Sequence, residues 1–129
     1  MMRRLHHVGV AVPNLDAAVQ RWRGLLQQEP VIEDVPGQEV RTARFPCGVE
    51  LLAPLAPDSP ISKFLDRQGG GVHHVTLEVQ DVDAELGRLA AAGVQLLHDH
   101  AVPGAGGSWI AFVHPRATGG VLLELVQHG

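Results

Sequence analysis

The chain of 129 residues has a single cysteine, a single lysine and no tyrosine. Cys47, set between Pro46 and Gly48, has no partner for an internal disulfide, so a reduced, cytoplasmic protein with a structural thiol is expected. Lys63 and the nine arginines are scattered along the sequence and are outnumbered, ten basic to fourteen acidic residues, giving a net charge of −4. That balance excludes the basic stripe of a nucleic-acid binder or of a protein drawn to an anionic membrane. Long apolar runs are missing too. Met1-Met2-Arg3-Arg4 is followed by His6-His7 and a short strand-like stretch, not by a signal core, and neither export nor a membrane anchor is expected. The length suits one domain with its own core.

What the sequence does contain is a repeat. Residues 6–22, HHVGVAVPNLDAAVQRW, and residues 73–89, HHVTLEVQDVDAELGRL, align at a shift of 67 with seven of seventeen positions identical. The ends of the two halves match as well, Val49-Glu50-Leu51-Leu52 closing the first and Leu123-Glu124-Leu125-Val126 the second. A duplicated half-domain follows, each half reading as strand, helix and three strands. Leu15, Val19, Trp22 and Leu26 carry helical spacing, which Val82, Leu86 and Leu89 repeat. Asn14 and Asp81 are the expected N-caps, and Gly93 the left-handed end of the second helix. Strands are expected at about 30–35, 39–46 and 48–53, then at about 94–98, 108–114 and 119–126. The expected organisation is one domain, with module 1 at about 1–54, a linker at about 55–70 and module 2 at about 71–129. Pro54 to Pro60 stiffens the linker, and a short helix over Ile61 to Gln68 stops at Gly69-Gly70-Gly71.

Alternation along a strand sends successive side chains to opposite faces. Val8, Val10 and Val12 form an apolar face with His6, and His7 lies on the other; His74 is separated in the same way from His73, Val75, Leu77 and Val79. Glu50 and Glu124 interrupt their apolar strands with the same parity. A carboxylate among apolar neighbours is costly unless it is paired or bound to metal. Either histidine alone reads as a hydrogen-bonded strand residue, but the symmetric set His7, Glu50, His74 and Glu124 points to one divalent cation, with coordination positions left for water or substrate. His98, His100, His114 and His128 have no repeat partner and read as surface or loop residues.

The stretches LHHVGVAV from Leu5, VELLAPLAPDSPISKFL from Val49, GGGVHHVTLEV from Gly69 and PGAGGSWIAFVHPRATGGVLLELVQ from Pro103 resemble bacterial and mitochondrial methylmalonyl-CoA epimerases of the vicinal-oxygen-chelate superfamily. The histidine and glutamate pattern speaks for the superfamily; DSPISKFL and HPRATGGVLLELVQ speak for the epimerase. The resemblance implies an α+β fold of two tandem βαβββ modules forming one curved eight-stranded cleft. It also implies a metal held by His7, Glu50, His74 and Glu124, with Co2+ the first choice and Mn2+, Ni2+ or Zn2+ the alternatives, and a homodimer. Where some epimerases carry a glutamate on the third strand of the first module, this chain has Thr42. Arg21-Trp22 replaces a common Phe-Tyr pair, and Gln27 stands where a glycine often ends the helix.

The implied reaction is inversion at C2 of an acyl-CoA thioester, methylmalonyl-CoA, through a metal-stabilised enolate, with Glu124 or Glu50 as the base. Lys63, Arg67, Arg116 and the loop Pro103 to Gly107, with Gly106 at its tip, are the candidate contacts to the CoA tail. The rival activity is a glyoxalase I-type lactoylglutathione lyase, which shares the metal shell and the enediolate chemistry. A non-catalytic small-molecule-binding protein of the same fold generally lacks the four ligands. An extradiol dioxygenase wants three ligands to iron and usually a tyrosine, which this chain does not have.

Overall fold

The computed structural model describes residues 3–129. The chain runs through β1 (Arg3–Ala11), α1 (Leu15–Leu26), β2 (Val31–Val35), β3 (Val40–Arg44), β4 (Val49–Pro54), α2 (Pro60–Gln68), β5 (Gly71–Val79), α3 (Val82–Ala91), β6 (Val102–Pro103), β7 (Trp109–Val113) and β8 (Leu122–Gln127). Strand, helix and three strands thus occur twice, as the repeat requires. The chain divides into two compact units, one of His7–His73 and one of residues 3–6 with His74–Gly129. Both β1 and β5 pass through each of them. Hydrogen-bonded strands follow the order β2-β3-β4-β1-β5 in the first unit and β1-β5-β8-β7-β6 in the second. In both, the opening strand lies parallel to the closing one, with Gly9 opposite Glu50 in the first and Thr76 opposite Glu124 in the second.

The helices begin where their caps dictate. The Asn14 side chain accepts from the Ala17 amide and that of Asp81 from the Ala84 amide, each at 3.0 Å, so a first-turn donor that would otherwise lack a partner is satisfied. Gln27 ends α1 in the left-handed region at φ 53° without being glycine, its amide donating to the Arg23 carbonyl at 2.9 Å. Gly69 ends α2 in the same region, and Gly70 at φ +134° brings its Cα so near the Ala11 carbonyl that a Cβ would stand 3.1 Å from it. Asp81→Ala is expected to cost about 1 kcal/mol of stability, because it removes both the cap and a charge at the positive end of α3. Urea unfolding would show it as a lower midpoint at unchanged slope, and an unmoved midpoint would refute it.

Each unit buries one sheet face under its repeat helix. Leu15, Ala18 and Val19 of α1 pack with Ala43, Leu51 and Ala53, joined by Val10 and Val12. Val82 and Leu86 of α3 pack with Val79, Ala111, Val113 and Leu125. The opposite face of the first unit is covered in part by α2, whose Ile61 and Phe64 pack with Ala11, Val40 and Leu52. His7 and Glu50 lie on this face by alternation and are left beside, not beneath, that helix.

The strand expected at 94–98 does not form. Leu96 makes one bridge to Val113, flanked by hydrogen bonds from the Leu97 amide to the Phe112 carbonyl and from the His114 amide to the Gln95 carbonyl, both 3.1 Å. The ladder stops there because His98 intervenes. Its Nδ1 accepts from the Phe112 amide at 3.0 Å, taking the place of the next backbone carbonyl. The ladder resumes only at Val102–Pro103, opposite Trp109 and Ile110.

Candidate metal centre

In the first unit β1 carries His7 and β4 carries Glu50, both buried. His7 Nε2 stands 3.5 Å from Glu50 Oε1. In the second unit β5 carries His74 and β8 carries Glu124, again buried, with His74 Nε2 3.9 Å from Glu124 Oε1. The repeat has therefore produced the same imidazole–carboxylate pair twice, from the same strands and with the same parity. These separations are long for a hydrogen bond. Adjacent ligands of a cation with bonds of about 2.1 Å stand roughly 3 Å apart, which is the spacing the two pairs approach.

The carboxylates are held differently. Glu124 Oε1 accepts a hydrogen bond from the Thr76 hydroxyl at 2.7 Å, wholly inside the protein. Glu50 Oε2 accepts from Arg44 Nε at 3.1 Å. Burial pushes the Glu50 carboxyl above its ordinary range, and the Arg44 guanidinium opposes the shift without cancelling it. A cation bound beside a carboxylate displaced in that direction would favour its charged form. The donor set of imidazole nitrogen and carboxylate oxygen fits a divalent ion of intermediate hardness. His7 and Glu50 bring such donors together in the first unit, and His74 and Glu124 in the second.

Two of these supports escape a reading for ligands. Arg44 lies opposite Glu50 in the β3–β4 register, so the pair shares a face. Thr76 follows His74 by two residues and faces Glu124 across the parallel pair. Alternation within the strands was the available signal for both.

The expected CoA contacts lie in separate places. Lys63 lies on α2 and lines an open depression with Asp58, Pro60, Asp66 and Arg67. Arg116 belongs to a single exposed turn at Pro115–Ala117, and its amide donates to His114 Nδ1 at 3.0 Å. Gly106 takes φ 64° in the turn Ala105–Gly107, a left-handed conformation that glycine adopts at no steric cost. Cys47 is exposed and unpaired. No helix among the described residues is long and apolar enough to cross a membrane.

The sequence pattern of the glyoxalase/bleomycin resistance protein/dioxygenase superfamily matches residues 6–112. Within it, the chain is 40% identical to the ethylmalonyl-CoA/methylmalonyl-CoA epimerase of Cereibacter sphaeroides, over 98% of this chain and 99% of that one. The chain belongs to the methylmalonyl-CoA epimerase family. Mouse mitochondrial methylmalonyl-CoA epimerase is also 40% identical, over 96% of this chain and 72% of its own length. The structure of a variant of the Streptomyces coelicolor methylmalonyl-CoA epimerase, in complex with 2-nitronate-propionyl-CoA, superposes with a TM-score of 0.89 at 36% identity, covering 98% of this chain and 97% of that one. Membership of the epimerase family agrees with the duplicated βαβββ order and gives isomerisation as the class of chemistry.

Proposed function

We propose that this protein epimerises methylmalonyl-CoA at C2, using a divalent cation held by His7, Glu50, His74 and Glu124. The observation that carries the proposal is the twice-formed histidine–glutamate pair in a chain 40% identical, over nearly its whole length, to an ethylmalonyl-CoA/methylmalonyl-CoA epimerase. A cation bound there acts as a Lewis acid, lowering the cost of negative charge on the thioester oxygen. The remaining work belongs to the protein. Glu124 takes the proton alpha to the thioester, oriented by the Thr76 hydroxyl that holds its Oε1. Arg44 opposes the upward push that burial gives the Glu50 carboxyl and holds that carboxylate in place as a ligand. Lys63, Arg67, Arg116 and the turn at Gly106 are the groups proposed to meet the CoA tail, three cations and a run of open backbone suited to its phosphates. Co2+ leads among the metals for the mixed nitrogen and oxygen donors, ahead of Mn2+, Ni2+ and Zn2+. The working form proposed is a cytoplasmic homodimer.

The test is deuterium incorporation at C2 of a single methylmalonyl-CoA epimer in heavy water, run beside conversion of a glutathione hemithioacetal by the same preparation. Incorporation with conversion to the second epimer supports the proposal. Turnover of the hemithioacetal alone would move the assignment to a lactoylglutathione lyase.

A further inference from the structure

Apart from the pair His74 and Glu124, the second unit brings a further set of metal-ligating side chains together. His6 lies in the first half of β1 and His128 just past the end of β8, 122 residues apart in sequence, and their Nε2 atoms stand 3.2 Å from each other. His128 Nε2 is also 3.9 Å from Glu78 Oε2 on β5. The other oxygen of Glu78 accepts from Arg4 Nη2 at 2.6 Å, and this bond holds the carboxyl below its ordinary range. All four residues belong to the same compact unit. Nitrogens bound to one tetrahedral ion at about 2.0–2.1 Å lie roughly 3.3 Å apart, and rings aimed at that ion have centroids roughly 5.2 Å apart. A straight N–H···N bond between the same two atoms would instead set the centroids about 5.5 Å apart. The observed centroid separation is 5.0 Å, with the ring planes tilted by 35°. The two Nε2 atoms therefore converge on a common point beside the line that joins them.

We infer that His6 and His128 form a second cation site, a zinc clasp that fastens the end of β8 to the first half of β1. Imidazole nitrogen suits zinc, and two such ligands leave two corners of the tetrahedron to water. Glu78 Oε2 is placed to accept a hydrogen bond from one of those waters, and its negative charge offsets part of the charge of the ion. Arg4 is the brace that keeps this carboxylate in position. The His128 side chain is 48% exposed, so an ion enters without any opening of the fold. Because the two ligands come from opposite ends of the sequence of this unit, they meet only in the folded chain. An ion that needs both of them favours that state. Neither histidine takes part in the proposed epimerisation, and the inference stands apart from that reading.

Zinc itself is the probe. Metal-free wild-type protein equilibrated with zinc chloride should bind one ion per chain more than His128→Ala does, measured by elemental analysis, whatever the other ligand set holds. His6→Gln and the double variant should show the same deficit of one ion, because the two rings share it. Glu78→Gln should bind that ion about ten- to a hundredfold more weakly, as loss of an outer-shell partner does. The urea midpoint should rise with zinc further in the wild type than in His128→Ala. Equal zinc in wild type and His128→Ala overturns the clasp, and so does an equal rise in their midpoints. A double variant that lacks two ions where each single variant lacks one also overturns it, since each ring then binds alone.

Discussion

Glu124→Gln is expected to lower deuterium incorporation at C2 of methylmalonyl-CoA by about a thousandfold, while the protein keeps most of its metal. Glutamine has the size of glutamate, and its amide oxygen can still accept the hydrogen bond that Thr76 makes to Oε1 at 2.7 Å. That oxygen can also still coordinate a cation, but an amide takes no proton at neutral pH. The variant therefore separates two duties that one residue combines. Elemental analysis beside the exchange assay decides the matter: metal and exchange lost in strict parallel would reduce Glu124 to a ligand and leave the base to be found elsewhere.

Glu85→Ala is expected to destabilise the fold by about 2–3 kcal/mol at neutral pH. Glu85 lies on α3 with only 1% of its surface exposed. Its carboxylate receives Arg3 through Nε and, at 2.9 Å, through Nη2, and also receives Arg88 Nε at 3.1 Å. The helix is thereby fastened to the start of β1. Truncation removes these charge-assisted bonds and leaves a space where a fully buried side chain stood. The ion pairing also fixes a pH signature. The hydrogen bond from Arg3 is the main reason the Glu85 carboxyl lies below its ordinary value of 4.5. A depressed carboxylate contributes stability that is present above its unfolded value and is lost as pH falls through its folded one. The gap in stability between wild type and Glu85→Ala should accordingly be widest at neutral pH and should narrow below about pH 4.5. Glu85→Met, which fills most of the space, should cost less than the alanine. Urea titrations at pH 7 and pH 4 check all three statements, and a gap that stays constant in acid would falsify the ionic account.

The duplicated order and the ligand parity could be read from the sequence because both rest on local rules. The 67-residue shift sets the two halves in register, and alternation alone assigns His7 and His74 to the face opposite their neighbours. The caps Asn14 and Asp81 were equally legible, since an N-cap is a contact three residues long. What was hidden depends on contacts between distant segments. Val94 and Leu96 have the period of a strand, yet they spend their apolar side chains on the α3 core, and the imidazole of His98 closes the ladder behind them. No composition rule marks a histidine as a substitute for a backbone carbonyl. Arg44 and Thr76 escape a linear reading for a related reason. Each is unremarkable in its own strand and gains meaning only from the residue opposite it.

The two terminal strands guard their open edges by different means. β6 has only two residues, one of them Pro103, which cannot donate to an added strand. β2 has five, with Val31 and Ile32 exposed by 72% and 52%. It depends instead on charge, with Glu33 beside Asp34 and Asp34 in turn held by Arg41 at 2.6 Å. Two carboxylates thus stand next to two exposed apolar side chains on this edge. A neutral replacement at position 33 weakens a gatekeeper against edge-to-edge stacking. Light scattering on Glu33→Gln over a range of concentrations checks this, with more self-association than the wild type expected and equal dispersion refuting it.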